Sequence, residues 1–334
     1  MRTTHKWIGL LAALTLTSCE KMMWEEDQAS TDPLTNFNYL WNEVDKKYSY
    51  FELKGIDWSA IGDRYRDSIS SDMNEEELFH VMGRMLNELR DDHTNLIAPF
   101  DISVYDAALN HEPNYNERTI REHYLPEVMH TGAFTHNFLD GDSIAYVRYA
   151  SFMSTVTNED LDFILNRYRN TKGLILDLRV NGGGSIFNIP MIMERFVDEH
   201  VLVGYSQTRN GPGHDDFSDP VGFYFNAYDG IRYEKPVIIL VDRGSYSATT
   251  FLSLTTKALD NVQLLGDTTG GGGGLPNGGQ LPNGWTYRFS VTRMLDLDLV
   301  NYAEDGVPPD ITASFDWSDL TRDAILDRAI EELR

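Results

Sequence analysis

The chain of 334 residues holds a single cysteine, Cys19, so no disulfide can close within it. Basic residues are scarce: 28 Lys and Arg stand against 52 Asp and Glu, a formal net charge of -24. That balance argues against nucleic acid or an anionic membrane surface as an electrostatic partner and describes a well-solvated surface. The apolar run Trp7 to Leu16 is shorter than the ~20 residues a bilayer-crossing helix requires. His111, His123, His130 and His136 lack metal-ligand spacing and cysteine partners, and read as surface histidines with no metal and no cofactor implied. Neither G-x-x-x-x-G-K-[ST] nor G-x-G-x-x-G follows any apolar strand, which disfavours a phosphate-cradling loop.

What is present begins with a targeting segment. Arg2, His5 and Lys6 precede the apolar run, which ends in Leu16-Thr17-Ser18-Cys19. Small residues before a cysteine at that place resemble a bacterial lipobox. Residues 1–18 then read as a signal peptide, and Cys19 as a lipidated first residue tethering an extracytoplasmic body to a cell-envelope membrane. Residues 19–33 are polar and acidic and read as a flexible tether.

Residues 34–100 show helical periodicity: Phe37, Leu40, Trp41 and Val44 along one stripe, then Ala60, Ile61 and Tyr65, then Leu78, Met82, Met85, Leu86 and Leu89. Asn74 with Glu77 three residues on predicts a capping box for the third helix. His93 lies just past that stripe, beside Asp91 and Asp92. Two readings stand: a general base titrating near neutrality, or a cation placed by the helix dipole. Residues 101–140 are rich in loop signals and read as a linker. Ile144 to Tyr149 alternates as a strand does, and 158–168 is helical.

In 141–334, Gly173 to Leu178 is a buried strand running into Asn181-Gly182-Gly183-Gly184. Val237 to Val241 is another, followed by a turn at Gly244 and an apolar helical segment that opens at Ser247. A serine there is either an N-cap or a nucleophile beside unpaired amides. The spacing is not G-x-S-x-G, which disfavours the α/β-hydrolase elbow. Leu-Pro-Asn-Gly occurs at 275–278 and again at 281–284, as turns in a long loop or hairpin. Glu304 precedes Gly306-Val307-Pro308-Pro309-Asp310 and, alone, is a solvated charge.

Taken in order, these segments resemble the tail-specific, or C-terminal-processing, serine peptidase family. The motifs are Leu89-x-Asp91-x-His93-Thr94, Asp177-Leu178-Arg179-x-Asn181-x-Gly183-Gly184, the Ser247-Ala248 turn, Gly266-x-x-Thr269-x-Gly271, and Glu304-x-Gly306-Val307-x-Pro309-Asp310. The resemblance implies an α/β fold, with a helical N-terminal domain followed by a crotonase-like (ClpP-like) β-β-α peptidase core over 141–334. One subgroup uses a Ser–Lys dyad, but the matching position here is Gly272. The tricorn-like subgroup uses serine, histidine and glutamate. By that resemblance Ser247 is the nucleophile, His93 the base and Glu304 the orienting acid, with Ala248 and Gly183 or Gly184 as the oxyanion hole. The chain departs at Asp92, where the subgroup has serine; an aspartate can itself orient or charge-stabilise His93. Thr250 stands where many relatives have glutamate. The stretch between Thr94 and Ile144 is too short for the PDZ domain many relatives carry. The implied partner is a polypeptide substrate. Relatives that have lost catalysis use the fold as a binding module, and an esterase or amidase is the further alternative.

Overall fold

The computed structural model describes residues 29–105 and 111–334. The signal segment, Cys19 and most of the tether lie outside the described residues. Four helices come first: α1 (Pro33–Lys47), α2 (Phe51–Lys54), α3 (Trp58–Arg66) and α4 (Glu75–Asn87). Helix α1 starts where the Asp32 carboxylate accepts the Thr35 N–H and Pro33 occupies the first turn. The capping box of α4 is present: Asn74 Oδ1 accepts the Glu77 N–H and Glu77 Oε2 accepts the Asn74 N–H, both at 3.0 Å. The apolar stripes of these helices meet in one core around Phe37, Leu40, Trp58, Met82 and Leu86.

Then come β1 (Asn95–Ile97), β2 (Ile102–Val104), α5 (Glu117–His123), β3 (Met129–Thr131), β4 (Phe134–Leu139) and β5 (Ile144–Tyr149). Next are α6 (Asn158–Arg167), β6 (Gly173–Asp177), α7 (Asn188–Met193), β7 (Val201–Thr208) and β8 (Val221–Phe225). The segment singled out in the sequence supplies β9 (Val237–Val241), α8 (Ala248–Thr255) and β10 (Val262–Gly266). The chain closes with β11 (Pro276–Gln280), β12 (Thr286–Ser290), β13 (Thr292–Leu295), β14 (Ile311–Thr312) and α9 (Ala324–Glu332).

The main sheet has seven strands in the order β14-β10-β9-β6-β5-β4-β3. From β14 to β5 every neighbouring pair is parallel; β4 and β3 are added antiparallel at the edge. Alternation along β9 sends Val237, Ile239 and Val241 to the face covered by α6, α7 and α8. Ile238 and Leu240 go to the opposite face, under α5 and α9. All five residues of β9 are buried, as a central parallel strand demands. The α/β architecture with a helical start is thus the one expected.

Three local expectations change. Residues 101–140, read as a linker, contribute β3 and β4 to the main sheet and Ile120 of α5 to its core. His136, read as a surface residue, is fully buried on the inward side of β4. Its ring contacts the Thr131 hydroxyl at 2.9 Å and the Tyr168 hydroxyl at 2.7 Å, and burial pushes its pKa down to about 4, helped by Arg167. The first Leu-Pro-Asn-Gly copy lies largely in β11 and only the second, after β11, forms the turn of the β11–β12 hairpin. That hairpin pairs with β1, Asn95 opposite Arg288, and buries Leu281, Trp285, Tyr287 and Phe289 in the helical core. The helical unit is completed by strands from late in the chain, and the end of α4 lies beside the turn that follows β9.

Candidate active site

Ser247 occupies the N-cap position of α8, but its side chain does not cap the helix. Its backbone has φ 57° and ψ -115°, a combination that non-glycine residues rarely adopt. Neighbouring bonds hold it there. The Ser247 N–H donates to Gly271 O at 3.0 Å, the Tyr246 N–H to Asn181 O at 3.0 Å, and the Thr249 hydroxyl to the same Asn181 oxygen at 2.8 Å. Thr250 is buried, its hydroxyl donating to Ser245 O and hydrogen-bonded to the Thr269 hydroxyl, so it ties α8 to the 266–271 loop. The turn therefore keeps the Ser247 Oγ out of the cap and aims it across to the helical unit.

What it meets is His93. The Nε2 atom of His93 lies 3.0 Å from Ser247 Oγ, between residues 154 apart in sequence. The histidine is placed by an Asx turn at the end of α4: Asp91 Oδ1 accepts the His93 N–H at 2.8 Å, and Asp91 O accepts the Thr94 N–H at 2.9 Å. Burial holds the His93 pKa below its usual value. Asp91 and the Gly274 carbonyl pull the other way, and Arg288 and Lys54 reinforce the burial. A ring kept neutral near pH 7 with Nε2 facing a hydroxyl can accept its proton.

Of the two adjacent acids, the buried one acting on His93 is Asp91. Asp92 is partly exposed and lines a cavity of about 340 Å³ with Lys54, Arg90, Arg243 and Glu304. Glu304 is far from the solvated charge its sequence context suggests. It is buried, and its Oε1 accepts from Lys54 Nζ at 2.7 Å. Among the described residues it makes no hydrogen bond to His93, and its Oε2 has no hydrogen-bond partner. Burial, then Asp91, push the Glu304 pKa up to about 8 against the pull of Lys54.

A carboxyl whose folded pKa lies above its unfolded 4.5 holds its proton more firmly in the native state, so its contribution to stability is present below pH 4.5 and is lost as pH rises to about 8. Thermal unfolding followed from pH 5 to pH 9 should show the wild type losing stability relative to Glu304→Gln across that window. A constant difference would mean that Glu304 titrates at its ordinary value.

Beside Ser247, the Ala248 N–H makes no hydrogen bond among the described residues. The Gly183 N–H, one of the two amides expected to join it, is instead taken by Asn181 Oδ1 at 3.0 Å; the Gly184 N–H has no such partner. Gly183 serves by its bareness. At φ 90°, a Cβ there would lie 2.8 Å from Ser247 Cβ and 2.9 Å from the Ala248 nitrogen. Gly183→Ala should therefore displace the turn and slow any reaction at Ser247 roughly a hundredfold or more, read as the rate of fluorophosphonate labelling. Gly272, where the other subgroup has lysine, has no room for a side chain. A Cβ there would sit 2.3 Å from the Tyr246 ring, which itself packs 5.2 Å from the His93 ring.

A serine on a strained strand-to-helix turn, an imidazole nitrogen 3.0 Å from its hydroxyl and a free amide next to it make the arrangement of the serine hydrolase class. Comparison with known proteins narrows the class. Residues 143–313 match the profile of peptidase family S41, and residues 30–87 match the tricorn protease C1 domain. The chain belongs to peptidase family S41. A solved peptidase candidate from Parabacteroides merdae is 38% identical, with 91% of this chain and 97% of that one covered and a TM-score of 0.86. The carboxy-terminal processing protease CtpA of Bacillus subtilis is 27% identical over 173 residues, 52% of this chain and 35% of that protein. The chain thus spans about a third of the length of the curated relatives it matches. Mature CPAF shares the fold at a TM-score of 0.67 and 12% identity, covering 90% of this chain and 96% of that one.

Proposed function

We propose that the protein is a serine endopeptidase that cleaves extracytoplasmic polypeptides through an acyl-enzyme at Ser247. The observation that carries this is the 3.0 Å contact between Ser247 Oγ and His93 Nε2. His93 takes the hydroxyl proton as Oγ attacks the scissile carbonyl carbon, and returns it to the leaving amine as the peptide C–N bond breaks. Water then attacks the ester carbonyl, giving a proton to the same nitrogen, which returns it to Ser247 Oγ as the acyl C–O bond breaks and the new C-terminal carboxyl product leaves. The Ala248 N–H, and the Gly184 N–H rather than that of Gly183, stabilise the oxyanion. Asp91 fixes the ring through the turn it caps. Once ionised, Glu304 stabilises the imidazolium by its field across the buried cluster, since no bond joins the two.

Two units frame the substrate cleft in this reading: the helical one with its late hairpin, and the seven-stranded core. No described helix is long and apolar enough to cross a membrane. The tether we propose is a lipid on Cys19, which the Leu16-Thr17-Ser18-Cys19 pattern supports. Incubation with a fluorophosphonate should add one adduct to the intact protein, on the tryptic peptide that carries Ser247. An unmodified protein, or an adduct on another serine, would end the proposal.

A further inference from the structure

The catalytic reading gives no role to Lys54, the cation that touches Glu304. Lys54 is the last residue of α2, and Gly55 in the left-handed region stops the helix there at φ 60°. The side chain turns inward and is only 10% exposed. Its ammonium donates to Glu304 Oε1 at 2.7 Å, to Arg90 O at 2.8 Å and to Leu89 O at 3.4 Å. The two carbonyls belong to the segment that leaves α4 and carries Asp91 and His93. Arg90 answers in kind, its guanidinium donating to Lys54 O at 2.8 Å. One cation thus fastens the histidine-bearing segment to the glutamate-bearing one, which are far apart in sequence.

We propose that Lys54 is a positioning residue that keeps the Glu304 carboxylate ionisable near neutral pH and holds it against the His93 segment. The inference rests on the serine-peptidase reading of Ser247 and His93. The groups around Glu304 explain why a cation is needed. From the helical unit, Tyr48, Tyr50 and Asp91 face it beside Lys54; from the core, Tyr246 does, while Asp305 is exposed and acts from the cavity side. Arg90, Arg243 and Asp92 line the cavity on its outer side. Tyr50 also packs its ring 5.7 Å from Lys54 Nζ. Apart from His93, the inner groups are two carboxylates, one ammonium and neutral phenols. Burial and Asp91 both oppose ionisation of Glu304, and Lys54 is the opposing charge in direct contact. Without it the carboxyl keeps its proton, and the field that stabilises the His93 imidazolium disappears.

A merely structural lysine and a charge-setting lysine differ in the pH profile. The test follows the rate constant of fluorophosphonate labelling of the full-length protein from pH 5 to pH 10. The wild-type profile should contain a rising limb near pH 8, absent in Glu304→Gln. Lys54→Gln keeps a donor for the Leu89 and Arg90 carbonyls but no charge. Its limb should move upward by one unit or more, the size of shift a contacting opposite charge produces, so that labelling lost at pH 7.5 returns in part at alkaline pH. Lys54→Met should shift the limb likewise, and Lys54→Arg should restore the wild-type position. A labelled wild type whose limb stays put in Lys54→Gln overturns the role of Lys54 while leaving the peptidase reading intact. A uniform loss at every pH does the same. A wild type that is never labelled at Ser247 overturns both.

Discussion

Replacing Ser247 by alanine should lower casein cleavage by a factor on the order of 10³–10⁶, with the fold intact. The size follows from the geometry. The hydroxyl is the group of the turn that hydrogen-bonds His93, and it takes no part in capping α8 or in the bonds that shape the turn. Those bonds run through backbone atoms of Ser247 and through Thr249 and Thr250, so a methyl group in its place leaves them intact. The change should also relieve no packing strain, since the left-over Cβ sits where it did. Initial rates on a fluorescent casein, with circular dichroism and thermal melts as controls, measure the effect. Undiminished cleavage by Ser247→Ala would remove the nucleophile assigned here, whatever the family membership.

The largest effect on stability should come from Arg179→Ala. Arg179 is fully buried and donates to Asp177 Oδ1 at 3.0 Å and Oδ2 at 2.7 Å, to Asp323 Oδ2 at 2.8 Å and to Asn114 O at 3.1 Å. Burial alone would raise the Asp177 pKa; the guanidinium outweighs it and holds the carboxylate below its usual range. Asp323 in turn caps α9, accepting from the Ile325 and Leu326 N–H groups, each at 3.0 Å. Alanine at 179 leaves the buried Asp323 without its cation, leaves Asp177 with only Arg148, whose Nη1 lies 3.4 Å from Asp177 Oδ1, and loosens α9 from the sheet. Breaking one partner out of such a pair costs about 3–5 kcal/mol, against a total stability of about 5–15 kcal/mol. The melting temperature should fall by on the order of 10 °C, and labelling at Ser247 should fall with it only as the folded fraction does. A melt within about 2 °C of the wild type would mean that the cluster contributes only what a surface ion pair does.

The second case shows how the sequence can be read and where it stops. Arg179 and Asp177 belong to a motif recognisable in the chain, and the motif proves to be a buried scaffold under the site, with Asn181 at its end holding the turn and the Gly183 N–H. The strand-turn-helix around Ser247 was legible because a fully buried parallel strand must be apolar throughout. The capping box of α4 was legible because its two bonds are local. His93 was legible as a histidine that ends an amphipathic helix. Its companions were harder. Asp91 and Asp92 differ by one position, and only the turn geometry decides which is buried against the ring. Lys54 at the end of a short helix looks like any basic residue answering the dipole; its bond to Glu304 crosses 250 positions. The β11–β12 hairpin joins β1 across a similar span, so no local pattern announces that it completes the helical core. His136 failed for a related reason: a strand of mixed polarity gave no sign that its inward face carries a histidine bonded to Tyr168.

What unites the site is that its nucleophile and its base come from segments 154 residues apart, on units joined by the late hairpin and by Lys54. The most direct measurement is the fluorophosphonate labelling rate of His93→Ala beside the wild type at pH 7.5, with the melting temperature of each recorded. If the imidazole brought from the end of α4 activates Ser247, the variant should melt close to the wild type and label slower by a factor on the order of 10³ or more. Labelling of Ser247 at the wild-type rate without His93 would contradict it, and would require another base for the serine.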